Sequence, residues 1–201
     1  MTLAIEHGLA ARLALGTLMR GEALAGQGQG EAGIAHMRQG LAGWRAAGSE
    51  VGQTNYLSFL AEAYTNVGQT AAGLNVLAEA LACAHTTGER CWEAELYRLK
   101  GELLLQSGVQ GLEAGGLTPD AGLQTRDAEA EACFRQALDI ARRQQAKSLE
   151  LRAAMSLSRL WQQHGKRAAA YELLAPVYGW FTEGFDTADL QEAKALLDAL
   201  S

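Results

Sequence analysis

Residues 13–48 read LALGTLMRGEALAGQGQGEAGIAHMRQGLAGWRAAG, and this stretch decides the fold. Two helical patterns flank the short QGQG break. In the second of them Ile34, Met37, Leu41 and Trp44 fall at offsets 0, 3, 7 and 10, which places all four on one face of a helix. Gly28 and Gly48 punctuate the pattern 20 residues apart. The same pair returns as Gly68 and Gly88, and Gly108 continues the series, so the chain repeats itself every 40 residues.

Working outward, the fourth unit comes into register at an offset of 57, which takes Gly108 to Gly165 and Leu99 to Ser156. The 17 extra residues fall in the Gly-rich segment GVQGLEAGGLTPDAGLQTR, whose turn-forming residues and few large apolar side chains predict a loop over 109–126 inside the third repeat. Four hairpins follow, over about 3–48, 51–88, 91–145 and 148–183, in a single domain spanning 1–201. Their first helices are expected near 3–27, 51–67, 91–107 and 148–164, and their second helices near 30–47, 70–87, 127–145 and 167–181. Pro176 is expected to kink the last of these. A ninth helix over 187–200, with Asp186 or Thr187 as its N-cap, aligns Leu190, Ala193, Leu197 and Leu200 and reads as a cap on the array.

Composition agrees with helices. The chain of 201 residues holds 38 alanines and 31 leucines against 5 valines and 3 isoleucines, an excess of helix formers over the β-branched residues that strands prefer. This excludes a sheet-based enzyme such as a dinucleotide-binding fold. A net charge of −6 argues against nucleic acid as partner, because phosphates call for a basic face. No basic segment precedes an apolar run at the N-terminus, and no stretch reaches the roughly 18 apolar residues of a membrane span. A cytoplasmic protein with no membrane contact is expected.

Within each unit a small residue is followed three positions later by a large one and seven later by the turn glycine. Gly101, Leu104 and Gly108 follow this rule, with Ala130, Phe134 and Ala137 after the insertion; so do Ala61, Tyr64, Gly68, Gly73, Leu77 and Ala80, and Ser158, Trp161, Gly165, Ala170, Leu174 and Val177. The pattern resembles the tetratricopeptide repeat (TPR), although the period is 40 rather than 34 and the proline after the second helix is missing. The resemblance implies an all-α, right-handed TPR-like helical-repeat solenoid of four hairpins and a C-terminal capping helix. Four runs carry a narrower resemblance: 13–48, AELYRLKGELLLQ, EAEACFRQALDIARRQQAKSLELRAAMSLSRLW and LLAPVYGWFTEGFDTADLQEAKALLDAL. They are similar to the C-terminal repeat region of bacterial adenylate/guanylate cyclase-like multidomain ATPases. That likeness implies a regulatory or scaffolding module whose cyclase and ATPase segments are not in this sequence.

The remaining motifs have plain explanations. Gly28, Gly30 and Gly33 spell GxGxxG, but a helix and not a strand precedes them, and Gly28 and Gly33 recur as Gly68 and Gly73. His7, His36, His85 and His164 are scattered, and Cys83, Cys91 and Cys133 form no CxxC pair, so neither a metal nor a cofactor is expected and the cysteines read as core residues. No GxSxG elbow accompanies the serines, and no catalysis is expected. Trp44, Trp92, Trp161 and Trp180 lie on or beside packing stripes; the crowded GWFTEGF end, with Trp180, Phe181 and Phe185, reads either as packing under the last helix or as an aromatic anchor for a partner.

First helices of TPR-like repeats line a concave groove, and the position after the small residue is Glu22, Glu62, Glu102 and Arg159 in successive units. Neighbouring positions add Asn55, Ser58, Glu95, Arg98 and Arg152. These nine residues are the candidate site, read as a groove for a protein or peptide partner, including other domains of a parent protein. The plain reading is a solvated face with pairs such as Arg98 and Glu102 at i,i+4. The alternative function is the sensing of a small effector enclosed by the superhelix.

Overall fold

The structure is a computed structural model that describes residues 9–111 and 119–201. Among these residues every regular element is a helix: α1 (Leu9–Gly26), α2 (Gly30–Ala46), α3 (Gln53–Asn66), α4 (Thr70–Thr87), α5 (Glu93–Gly111), α6 (Pro119–Gln144), α7 (Lys147–Gln163), α8 (Arg167–Tyr178) and α9 (Ala188–Leu200). They divide into two compact units, Met1–Trp92 and Glu93–Ser201, so that each unit holds two successive hairpins and the second adds α9.

Five of the turns between successive helices follow one recipe. After α1 the amide of Gly28 donates to Ala25 O at 3.0 Å and that of Gln29 to Leu24 O at 2.9 Å, the paired bonds of a helix C-cap that requires a left-handed residue. Gly48, Gly68 and Gly165 make the same two bonds, and all four glycines have φ between 71° and 80°. The fifth such turn, between α6 and α7, has Gln145 at the left-handed position, with φ 55°. Its amide donates to Arg142 O at 3.1 Å, and that of Ala146 to Ala141 O at 2.9 Å.

In the first unit α1 and α2 meet through their backbones. A Cβ at Gly21 would lie 2.7 Å from Gly33 O and from the amide of Met37, and one at Gly40 would lie 2.7 Å from the amide of Leu18 and 2.8 Å from Ala14 O. Only glycine permits that approach. Ile34, Met37 and Leu41 are buried on the same α2 face, as their spacing predicts, each gaining about 1.5–3 kcal/mol from leaving water. Gly28, Gly30 and Gly33 therefore serve a turn, a helix start against Val67 and a helix contact. At the start of α3 the Gly52 amide donates to Glu89 Oε1 at 2.7 Å, so a carboxylate from the end of the second hairpin sits where the helix dipole favours it.

In the second unit Gly101 admits the ring of Phe134, whose Cε1 would come 2.5 Å from a Cβ there. Phe134 belongs to one core with Leu151, Ala154, Leu157, Leu160, Leu174, Leu190 and Ala193. The cap α9 buries Leu190, Ala193, Leu196 and Leu200 and starts at Thr187, whose hydroxyl donates to Gly184 O at 2.7 Å.

Several boundaries differ from the expectation. Helix runs into the segment read as a loop from both sides, through Gly111 in α5 and from Pro119 in α6, while 112–118 and 1–8 lie outside the described residues. Proline is at home as the first helical residue because the amide it lacks would have no partner there. α8 ends at Tyr178, two residues after Pro176, and not at 181. Its buried stripe is Ala170, Leu174 and Val177, so Tyr171 stays exposed. Of the cysteines only Cys133 is buried; Cys83 is half-buried and Cys91 exposed.

Candidate partner-binding faces

The second unit turns its candidate residues on one another. Arg98 donates from Nε to Glu95 Oε2 at 2.9 Å and from Nη2 to Glu95 Oε1 at 2.7 Å, and its Nη1 reaches Glu102. From α7, Arg152 donates to the same Glu95 Oε1 at 3.0 Å and to Asp189 of α9 at 2.9 Å. Ser156 closes the ladder with a bond to Glu102 Oε1 at 2.9 Å, and Arg159 pairs with Glu192 at 2.8 Å nearer to solvent. Glu95 is 3% exposed and Arg98 8%. Burial works to raise the Glu95 pKa, but the hydrogen bonds and charges of Arg98 and Arg152 outweigh it and hold the carboxyl below its ordinary range.

The structure thus buries Glu95 and Arg98, both expected as groove charges, and leaves Glu102 half-buried. Ion pairs across α5, α7 and α9 occupy them, and hydrogen bonds satisfy the buried ones, as buried charge requires. Arg152 and Arg159 are only partly exposed and are likewise paired.

The first unit is different. Ser58 is buried and donates to the backbone oxygen of Asn55 at 2.7 Å. Asn55 and Glu62 are seven residues apart on α3 and therefore share a face, and Glu22 takes the corresponding position on α1, which touches α3. All three are half-buried. The Oδ1 of Asn55 is enclosed and accepts no hydrogen bond. Burial raises the pKa of Glu22, and no hydrogen bond or ion pair from a described residue answers it. The same unit has an open cavity of about 680 Å³ lined in part by Glu50, Glu79, Cys83 and Glu89.

The GWFTEGF end splits between its two readings. Phe181 packs against the core of the second unit, whereas Trp180 is 57% exposed and Phe185 47%. Trp180 stands edge-on to Phe181 with centroids 5.2 Å apart. Trp44, Trp92 and Trp161 are half-buried. Among the described residues no group of His, Cys, Asp and Glu is arranged to hold a metal ion, and no helix is long and apolar enough to cross a membrane.

Helical hairpins joined by a repeated glycine turn and closed by a terminal helix define a TPR-like helical-repeat protein. Solved structures agree on that fold. A kinesin light chain-like protein from Podospora anserina with nearly identical TPR-like repeats superposes with a TM-score of 0.62 at 18% identity, over 95% of this chain and 86% of that one. A glutamine-to-methionine variant of that protein superposes with a TM-score of 0.64 at 17% identity, over 95% and 85%. No protein-family profile matches the sequence, and no curated protein matches it.

Proposed function

We propose that the chain is a partner-binding scaffold module, without catalysis of its own, that takes a basic protein segment on the α1–α3 face of its first unit. The observation that carries this reading is the unanswered polarity of two groups on that face: Glu22 is partly desolvated with no cation from a described residue, and Asn55 Oδ1 is an enclosed acceptor without a donor. A Lys or Arg side chain and the N–H groups of an extended peptide supply what both lack. Helical repeats offer such faces by construction, since each hairpin packs only on its neighbours and leaves a continuous surface. The open form of the cavity beside Glu50 and Glu89 favours a macromolecular partner over an enclosed small effector.

The four sequence runs similar to cyclase-like ATPases support a setting as the regulatory, cytoplasmic part of a bacterial signalling protein. There the partner includes other domains of the same protein. The test is fluorescence anisotropy with Lys/Arg-rich peptides against the same peptides carrying Glu. Binding of the basic set only, weakened by salt and by Glu22→Lys with Glu62→Lys, supports the reading. Equal binding of both sets, or no effect of the double variant, removes it.

A further inference from the structure

A second cavity, of about 370 Å³, opens on the other unit and is lined by Arg142, Gln145, Lys147 and Trp180. We infer that it docks an acidic peptide segment of a partner protein, with a carboxylate on Arg142 and Lys147 and a neighbouring aliphatic side chain laid on the Trp180 ring. The inference is independent of the α1–α3 face, which selects the opposite charge.

Charge comes first. In the ladder of α5, α7 and α9 three arginines meet four carboxylates: Glu95, Glu102, Asp189 and Glu192. Around this cavity the balance is reversed. Arg142 Nε and Lys147 Nζ share one carboxylate, Glu150, at 2.9 and 2.7 Å. Glu150 is buried, so it anchors both cations in place while taking one N–H from each. Two held cations against one carboxylate leave a positive spot on a chain of net charge −6. An anion is the complement.

The aromatic ring comes second. Phe181 stands edge-on to Trp180, and the Lys147 ammonium lies 5.7 Å from its ring centroid, yet more than half of the residue remains in water. A part-exposed indole beside held cations is the kind of anchor on which interface energy concentrates.

Gln145 is the third observation. Four equivalent turns in this chain use glycine at the left-handed position, and among the described residues only here does one with a Cβ accept the strain. Its side chain lines the cavity, which a glycine could not do. An amide there supplies a donor and an acceptor to a peptide backbone passing between Trp180 and the cations. The cavity is too open to enclose a small molecule, so the affinity must come from a longer segment running across its rim.

The experiment follows the four indole N–H signals of the whole chain by ¹⁵N NMR, with Trp180 identified through Trp180→Phe. The probe is a ten-residue peptide centred on Glu-Leu-Glu; Gln-Leu-Gln and Lys-Leu-Lys versions and sodium acetate serve as comparison arms. The expected result is a saturable shift of the Trp180 signal with the Glu peptide alone. Affinity should fall about tenfold or more in Trp180→Ala and in Lys147→Gln, and also fall in Gln145→Gly although that change relieves strain. Trp180→Ala alters an exposed side chain and keeps the test valid if Lys147→Gln unfolds. No Trp180 shift, an equal shift with the Gln or Lys peptide, or acetate acting as well at equal carboxylate concentration would overturn the inference, the last by reducing the site to a small-anion spot.

Discussion

Arg98 grips Glu95 one turn away on α5 by two parallel hydrogen bonds, 2.9 Å from Nε and 2.7 Å from Nη2, with both side chains out of solvent. Such a pair resists the removal of one member far more than the removal of both, because a lone buried charge keeps its desolvation cost. Glu95→Ala should destabilise the second unit by about 3–5 kcal/mol. The double variant Glu95→Leu with Arg98→Met should lose less than Glu95→Ala alone. Urea titrations followed by circular dichroism would check both, and a double variant weaker than the single would refute the account.

Acid should undo this ladder in a defined direction. Glu95 and Glu150 are each held below the ordinary carboxyl value of 4.5, against the opposing effect of burial, by the arginine and lysine groups bonded to them. Their stabilisation is therefore present in full above that value and is lost as pH falls through and below it. Glu22 has the opposite sign: its pKa is raised by burial, so its charge costs stability at neutral pH and protonation relieves the cost. Unfolding free energy measured from pH 7 to pH 3 should fall steeply in the parent and less steeply in Glu95→Gln, while Glu22→Gln should match or exceed the parent at pH 7.

Glycines in α1 should divide into two kinds. Gly21→Ala drives a Cβ into backbone atoms of α2 at 2.7 Å and should cost about 1–3 kcal/mol or more. Gly16 has nothing within 4 Å of the corresponding position, so Gly16→Ala should stabilise by about 0.5–1 kcal/mol through helix propensity alone. Opposite shifts in thermal midpoint are the expected signature, and shifts of one sign would contradict the packing.

Gln145→Gly should raise stability by about 1 kcal/mol, since a left-handed residue with a Cβ gives way to one without the clash. A thermal midpoint that falls instead would mean that the Gln145 side chain holds the α6–α7 turn together.

How much of this was readable in the sequence varies with the range of the interaction. Gly28, Gly48, Gly68 and Gly165 act through a local turn, and their spacing located the helix ends to within a few residues. Pro119 reads as part of a loop in the sequence because turns and helix N-termini favour the same residue types, whereas it opens α6. For Glu95, Arg98 and Glu102, spacings of three and four look the same on a solvated helix as on a buried one, and the partners that enclose Glu95 and Arg98 and pair with Glu102 come from α7 and α9, 50 to 100 residues further along. The cation pair of Arg142 and Lys147 is invisible in the sequence for a similar reason: Glu150, which holds them together, is polar in sequence and buried in space. One signal was available, the replacement of Gly88 by Gln145 at the offset of 57.

The backbone-to-backbone seam of α1 and α2 has a kinetic consequence. Gly21, Gly33 and Gly40 have no side chain to order when they are buried, although their backbones give up more freedom than any other residue's, so the side-chain ordering of this seam falls on Leu18, Ile34, Met37 and Leu41. Its two strips of chain are joined by a turn of only a few residues, which makes the closing loop short as well. With its short turn and close backbone contact, the α1–α2 hairpin is expected to form early in its unit, and substitutions at the turn of Gly28 should then slow folding more than they speed unfolding.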